Sequence, residues 1–356
     1  MLYAALTTLC LAILTSTTVV ADAARQIDAI VLDEMARQNI VGMAVAVVKN
    51  GELYYARGYG YQDLDHTRPV TTETIFRWGS ISKTLTATAA LKLAEKNPAF
   101  NLDDEVSEHV SYWPKDGNKG NIRIKHLLSN RSGIIHYRSK KNCPGNRYPD
   151  YDRNRHDSKT YNARQSVEVF RDQNLCFDPG TRYKYSTFGY SLLAAAIEGA
   201  SGTSYMNWVN DNIRKPLRMH SLRQATGTTI GYDLQGHVMH ELVSGNAAWK
   251  LPGGGWESSV IDLAKFANAI LQGRLLANTS LLWTTVNDNP RYGYGIKYAP
   301  DKCVVGHQGR HDNSRTLLYL YPCSPDRLGI VLMINSLHSK PVRIAHKLAY
   351  LLDATR

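Results

Sequence analysis

The sequence predicts a mixed α/β fold of the α+β kind: an antiparallel sheet flanked by helices, with an all-helical lobe inserted. Three observations predict it. Two β-rich runs, VGMAVAVV and ELYYARGYG, flank Asn50-Gly51 near the start. Four short runs, RYGYGIKYAP, CVVGHQG, RTLLYLYP and LGIVLMINS, follow one another near the end and read as strands. Between these groups, from Ser80 to about Ala200, the apolar spacing is mostly helical. Strands that pair as sequential hairpins make an antiparallel sheet, and helices then cover its faces.

The elements follow in order. MLYAALTTLCLAILTSTTVVADAARQ has an apolar run of signal-peptide length, with small residues at Ala21 and Ala23. Cleavage after Ala23 is the expectation, giving a signal peptide over 1–23 and one domain over 24–356. No Lys or Arg precedes Arg25, so an uncleaved membrane anchor is the alternative. ARQIDAIVLDEMARQ has helical spacing. Asn50-Gly51 marks a hairpin, because a type I′ turn needs positive φ at both central residues. Residues 24–79 and 200–356 are expected to form an α/β lobe, and 80–199 the helical lobe. SSVIDLAKFANAILQG is an amphipathic helix entered through Ser258 or Ser259 as cap. PVRIAHKLAYLLDA closes the chain as a helix that tolerates Pro341 in its first turn.

Bulk composition narrows the function. The chain has 356 residues, 43% apolar and 21% charged, which supports a large packed core and argues against long disorder. No segment after the first is long and apolar enough to span a bilayer. The net charge of +11 favours anionic surroundings such as cell-wall polymers or a membrane surface. Nucleic acid is not expected as a partner, since no zinc-finger or RNA-binding signature is present. Much of the basic excess sits in 137–164, which reads as a solvated loop or as a lid over a substrate.

Export would leave Cys143, Cys176, Cys303 and Cys323 in an oxidising compartment. Cys303 and Cys323 end the arms of a hairpin centred near Asn313, so they should face each other across it. Cys143–Cys176 would then close the loop-rich middle. Buried free thiols are the alternative.

GSISKTLT carries the chemistry. Ser80 and Lys83 are three positions apart, hence on one face of a helix, while Ser82 points elsewhere. A serine hydroxyl is a weak nucleophile until a base takes its proton, and a desolvated lysine can serve. The helix start offers N–H groups for an oxyanion. The plainer reading is a capping serine beside a solvated lysine. The apolar helix behind the motif argues against it, because a lysine there needs a polar partner or a cleft.

Two further segments fit the same chemistry. Tyr185, just before an apolar helix in RYKYSTFGYSLLAA, is a phenol that could exchange protons with Ser80. His307-Gln308-Gly309 is expected on an edge strand facing the cleft, with Gly309 allowing close approach. The N–H of Arg310 would be the second oxyanion donor beside that of Ser80. A metal pair of His307 and His311 is disfavoured by the strand-like spacing.

Together these segments resemble the serine β-lactamase and penicillin-binding-protein superfamily, on its class C-like branch. Within it they resemble the mitochondrial serine β-lactamase-like group, through GSISK, LLSNRSGIIHY, YSTFGYSLLAA and LPGGGWESSVIDLAKF. Ser80 to Lys83 matches the Ser-x-x-Lys element. Tyr185-Ser186-Thr187 matches Tyr-x-Asn in part, and His307-Gln308-Gly309 matches Lys- or His-Thr-Gly in part. Thr187 replaces an asparagine that contacts the substrate amide, which weakens β-lactam hydrolysis more than acyl transfer. His307 in place of lysine removes a cation and points toward peptidase or esterase relatives. Asn313 stands where glycine is common, and asparagine tolerates positive φ.

The resemblance implies a β-lactamase/transpeptidase-like fold and a serine hydrolase working through a Ser80 acyl-enzyme. Lys83, Tyr185 and His307 would share the catalytic work, with Thr187, Gln308, Gly309 and Arg310 binding substrate or oxyanion. No metal or cofactor is expected. The substrate would be a small molecule or peptide, cleaved at an amide, D-amino peptide or ester. The alternatives are a catalytically weak binding or filament-forming protein on the same fold, with a homo-oligomer as partner, and a β-lactamase proper. Sequons occur at Asn130 and Asn278.

Overall fold

The computed structural model describes residues 22–137, 143, 160–226, 229–242, 245–285, 289 and 291–352. The signal-peptide segment to residue 21 and most of the basic stretch 137–164 lie outside the described residues.

The strands used here are β1 (Gly42–Lys49), β2 (Glu52–Gly60), β3 (Lys297–Ala299), β4 (Val304–His311), β5 (Ser314–Tyr321) and β6 (Leu328–Ile334). They form one six-stranded sheet in the order β2-β1-β6-β5-β4-β3. Every neighbouring pair is antiparallel. Asn50 and Gly51 make the β1–β2 turn at φ of 54° and 83°, as a type I′ loop needs. The β1–β6 pairing joins the two ends of the chain and is not a hairpin.

The helices used here are α1 (22–38), α2 (Ser82–Lys96), α3 (Thr187–Ser201), α4 (Val260–Leu271) and α5 (Pro341–Leu352). Strand β1, GMAVAVVK, shows why both sheet faces are covered. Met43, Val45 and Val47 pack against Ile27 and Val31 of α1 and Ile344 and Leu348 of α5. Ala44, Ala46 and Val48 face the other way, toward Leu263 and Phe266 of α4. Side chains alternate along a strand, so a strand buried on both faces loses its polar positions. Each fully buried Val, Leu or Ile contributes about 1.5–3 kcal/mol. Ser259 caps α4, its side chain accepting from the Asp262 N–H.

The helical stretch runs past position 199, through Tyr205–Val209 and Asn210–Arg214. It is tied back to α2 by polar contacts. The Tyr205 hydroxyl lies 2.6 Å from Thr86 Oγ1 and accepts from Trp256 Nε1 at 3.1 Å. A small sheet of Phe76–Arg77, Trp256–Ser258 and Arg223–Gln224 sits beside the start of α2. The Trp78 N–H donates to the Trp256 carbonyl at 2.8 Å, which fixes the chain just before Ser80.

Two expectations need correction in detail. RYGYGIKYAP is strand only over Lys297–Ala299, because Gly295 turns the chain at φ of 74°. Strand β3 therefore covers only Val304–Gly306 of β4, and the His307–Gly309 stretch lies on the edge of the sheet as expected. Asn313 does not take positive φ. It is fully buried instead, with its amide donating to the Thr229 carbonyl.

Both expected disulfides are formed. Cys143–Cys176 has its Cα atoms 4.3 Å apart, and Cys303–Cys323, at the open end of the β4–β5 hairpin, 5.9 Å apart.

Two glycines let β4 meet the start of α2. A Cβ on Gly309 would sit 1.9 Å from the Trp78 carbonyl oxygen. A Cβ on Gly79, whose φ is +51°, would sit 2.7 Å from the Arg310 nitrogen. Both obstacles are backbone, so neither can swing aside. Gly309→Ala should lower unfolding stability by at least about 2 kcal/mol, read as a lower urea midpoint. Gly245→Ala, with open space around its Cβ, is the control and should change it by less than about 0.5 kcal/mol.

Candidate active site

Residues Gly79–Ile81 form a tight 3-10 turn that runs straight into α2. Neither element start is capped by a side chain, so the Ser80 hydroxyl is not used as a cap. Ser80 is half-buried, while Lys83, one turn on, is fully buried. The Lys83 amine donates to the Gly253 carbonyl at 2.5 Å, to Thr187 Oγ1 at 3.1 Å and to Ser80 Oγ at 3.4 Å. It also lies 4.6 Å from the Tyr185 ring centre and 5.7 Å from that of Tyr190.

Among the described residues Lys83 has no carboxylate partner. Burial therefore holds its ammonium well below the ordinary lysine range, and the nearby positive charge of Lys250 pushes the same way. The neutral amine is a base, and it sits within reach of one hydroxyl that touches solvent.

Tyr185 is placed by Ser186, the next residue. Ser186 caps α3 through Gly189, its N–H donates to Asn130 Oδ1 at 2.9 Å, and its hydroxyl donates to the Ile135 carbonyl at 2.7 Å. The Tyr185 hydroxyl is buried and makes no well-formed hydrogen bond. Burial raises its pKa well above the ordinary phenol value, and proximity to the Ser80 hydroxyl offsets part of that rise. With its pKa raised, Tyr185 is a phenol rather than a phenolate.

His307 enters from β4 and is almost fully buried. Its ring centre is 6.2 Å from that of Tyr185 and 6.0 Å from that of Tyr292. Burial and the charge of Lys83 lower its pKa to about 3, so the imidazole is neutral. Nδ1 is 2.9 Å from the Gln308 carbonyl, which accepts a hydrogen there. That tautomer leaves Nε2 as an acceptor for the Tyr292 hydroxyl at 3.4 Å.

The structure thus brings Ser80, Lys83, Tyr185, Thr187 and His307 into one connected cluster, with Gly309 and the Arg310 backbone against the turn that carries Ser80. Gln308 is a correction. The alternation that aims His307 into the cluster turns the Gln308 side chain to the opposite sheet face, where it bonds Tyr319. A substrate contact from Gln308 is left to its backbone. Of the two sequons, Asn130 is buried and Asn278 is exposed.

Sequence reasoning missed several groups. The Gly253 carbonyl is the shortest partner of Lys83, yet lies 170 positions away. His136 accepts from the Thr187 N–H at 3.3 Å and meets the Tyr185 ring edge-on at 5.6 Å. Tyr190 donates to the Leu128 carbonyl at 2.7 Å beneath Lys83. Lys250 stands over Tyr137 and Trp249. Gly253 lies in the glycine run LPGGG, which Lys250 precedes, His136 in LLSNRSGIIHY and Tyr190 in YSTFGYSLLAA, all visible but without these roles assigned. The described residues contain no cluster of His, Cys, Asp and Glu able to hold a metal ion.

Known proteins resemble this chain in sequence and fold. Protein flp of Staphylococcus aureus strain MW2 is 29% identical over 333 residues, covering 88% of this chain and 63% of its own length. The chain thus spans less than two thirds of that relative. The human protein named "Serine beta-lactamase-like protein LACTB, mitochondrial" is 28% identical over 315 residues, covering 71% of this chain and 56% of its own. Among solved structures, the octameric penicillin-binding protein homologue from Pyrococcus abyssi superposes with a TM-score of 0.76 at 26% identity, covering 92% of this chain and 77% of that one. The profile of the family described as Beta-lactamase matches residues 27–355, and the chain belongs to that family.

Proposed function

We propose that this protein is an exported serine hydrolase that transfers acyl groups through Ser80, acting on an amide, D-amino peptide or ester. The observation that carries the reading is Lys83. A fully buried amine with no carboxylate partner among the described residues, 3.4 Å from a solvent-reaching serine, is costly as structure and useful as a base. Export is supported by the two disulfides, which persist in oxidising compartments.

The steps follow from the groups present. The neutral Lys83 amine takes the Ser80 proton as Oγ attacks the carbonyl carbon. Tyr185 is held as a phenol, which makes Lys83 the first base and Tyr185 the donor to the leaving group. Tyr185 recovers its proton from the Lys83 ammonium, whose nitrogen lies over the phenol ring. The N–H groups of Ser80 and Arg310 receive the oxyanion where β4 crosses Gly79. Water then hydrolyses the ester at Ser80 by the reverse proton path. His307 stays neutral and takes part through its shape and its bond to Tyr292. Thr187, bonded to Lys83, replaces the side-chain amide expected of a β-lactamase, which favours a peptidase or esterase.

Incubation with a fluorophosphonate should add one adduct by intact mass, and the adduct should vanish in Ser80→Ala. An adduct that persists in Ser80→Ala overturns the reading. Removing Tyr185 as Tyr185→Phe should slow turnover by about 10²–10⁴-fold while the protein stays folded.

The labelling rate should also depend on pH in a stated direction. Lys83 must be neutral to act, so the rate rises with pH through its lowered pKa and levels off below the ordinary lysine range. Lys250→Met removes a like charge and should move that midpoint upward. Burial is the larger cause of the shift, so the midpoint should remain depressed in the variant. A rate still rising in the ordinary lysine range of the unmodified protein contradicts the role of Lys83. The His307 ring protons, followed by NMR, should not titrate between pH 5 and 8.

A further inference from the structure

A cleft of about 510 Å³ opens beside α4. Ile261, Ala264, Lys265 and Asn268 line it, and their spacing puts them on one face of that helix. Phe266, whose ring centre is 5.9 Å from that of Trp78, sits on roughly the opposite face. The cleft therefore lies on the side of α4 turned away from the Ser80 turn. Its other walls are the β1–β2 turn and the loop at 216–220. Both are tied to α4. Asn268 Nδ2 donates to the Gly51 carbonyl at 2.5 Å. The Lys265 amine donates to the Arg218 carbonyl at 2.6 Å and to Asp262 Oδ1 at 2.8 Å. These bonds hold the three walls apart at fixed distances, so the space is preformed.

Floor and mouth differ in chemistry. Val48 and Ala264 are buried and apolar, and Ile261 and Leu217 are half-buried beside them. Leu53 stands at the lip, 48% exposed, and leaves apolar surface in water that a bound chain would cover. Arg218, His220 and Arg274 line the same cleft and are exposed. Neither guanidinium has an ion-pair or hydrogen-bond partner among the described residues. Glu52 is the one carboxylate among the described lining residues, so the mouth remains positive. Small-molecule sites span roughly 300–1,000 Å³, with mostly apolar walls and a few polar groups that fix orientation. The cleft has that size and that division.

We propose that this cleft binds a single-chain amphiphile with an anionic head, of the fatty-carboxylate class. The alkyl chain lies over Val48, Ala264, Ile261 and Leu53. The carboxylate accepts from Arg218 and Arg274, whose planar forks match it and whose long stems let both converge on one head group. An apolar chain with a cationic head meets the same floor but is repelled at the mouth. The site does not rest on acyl transfer at Ser80, because none of its lining residues belongs to that cluster.

The test is isothermal titration calorimetry of the protein with decanoate, kept below its micelle concentration. Decanoate should bind at a single site. Decyltrimethylammonium, with the same chain and the opposite charge, should bind at least about 10-fold more weakly. In the double variant Arg218→Met, Arg274→Met the affinity for decanoate should fall at least about 10-fold, and in Leu53→Asp by a similar factor. All three side chains are exposed, so the urea midpoints should stay close to that of the unmodified protein. Should Leu53→Asp fail to fold, the double variant decides. No binding of decanoate, equal binding of decyltrimethylammonium, or an unchanged affinity in either folded variant overturns the site. Binding to phosphatidylglycerol vesicles without binding of free decanoate also overturns it, and assigns this face to a membrane surface instead.

Discussion

The structure depends on keeping the Lys83 amine out of water with no counter-ion among the described residues. Burying an ammonium costs several kcal/mol, and here hydrogen bonds and ring faces offset that cost where a carboxylate would otherwise do so. The Gly253 carbonyl, Thr187 Oγ1 and the faces of Tyr185 and Tyr190 surround it. Each of these comes from a segment far from α2 in sequence, so the lysine gathers the helical lobe and the glycine run around one nitrogen. A carboxylate at the same place would lock it as a permanent cation. The partners present leave its proton loosely held.

The sheet serves the same point from the other side. Strand β4 reaches the start of α2 because Gly79 and Gly309 allow backbone to touch backbone. The rest of the sheet holds β4 rigidly: β5 pairs along its whole inner edge, and the Cys303–Cys323 bond fastens the open end of the hairpin. Covering both faces with α1, α5 and α4 makes the platform stiff, and a stiff platform is what lets two N–H groups keep their separation.

Local signals were legible in the sequence. Asn50-Gly51, the Ser259 cap, the closing helix from Pro341 and the Ser80–Lys83 spacing each depend on a few adjacent residues, and each is found. Tyr185 and His307 were legible as candidates because their segments resemble a family pattern. What the sequence hid is what crosses the fold. The Gly253 carbonyl is backbone and carries no side-chain mark. His136 and Tyr292 look like ordinary packing residues until Thr187 and His307 meet them. Gln308 was misread because a strand's alternation depends on which neighbour is buried, and that was fixed only by the pairing with β5. The extent of β3 was overestimated because a glycine inside an apolar run weakens a strand without announcing where it ends.

The partial cover on β4 has a directional meaning. From Val304 to Gly306 its outer edge is already taken by β3, and from His307 to the turn after His311 no strand among the described residues pairs with it. An extended peptide that came alongside would find main-chain partners only in that second stretch, starting beside the imidazole. On the proposed peptide reading the edge would be a berth with a closed stern, letting a chain run outward past Arg310 and stopping it at Gly306, where β3 begins.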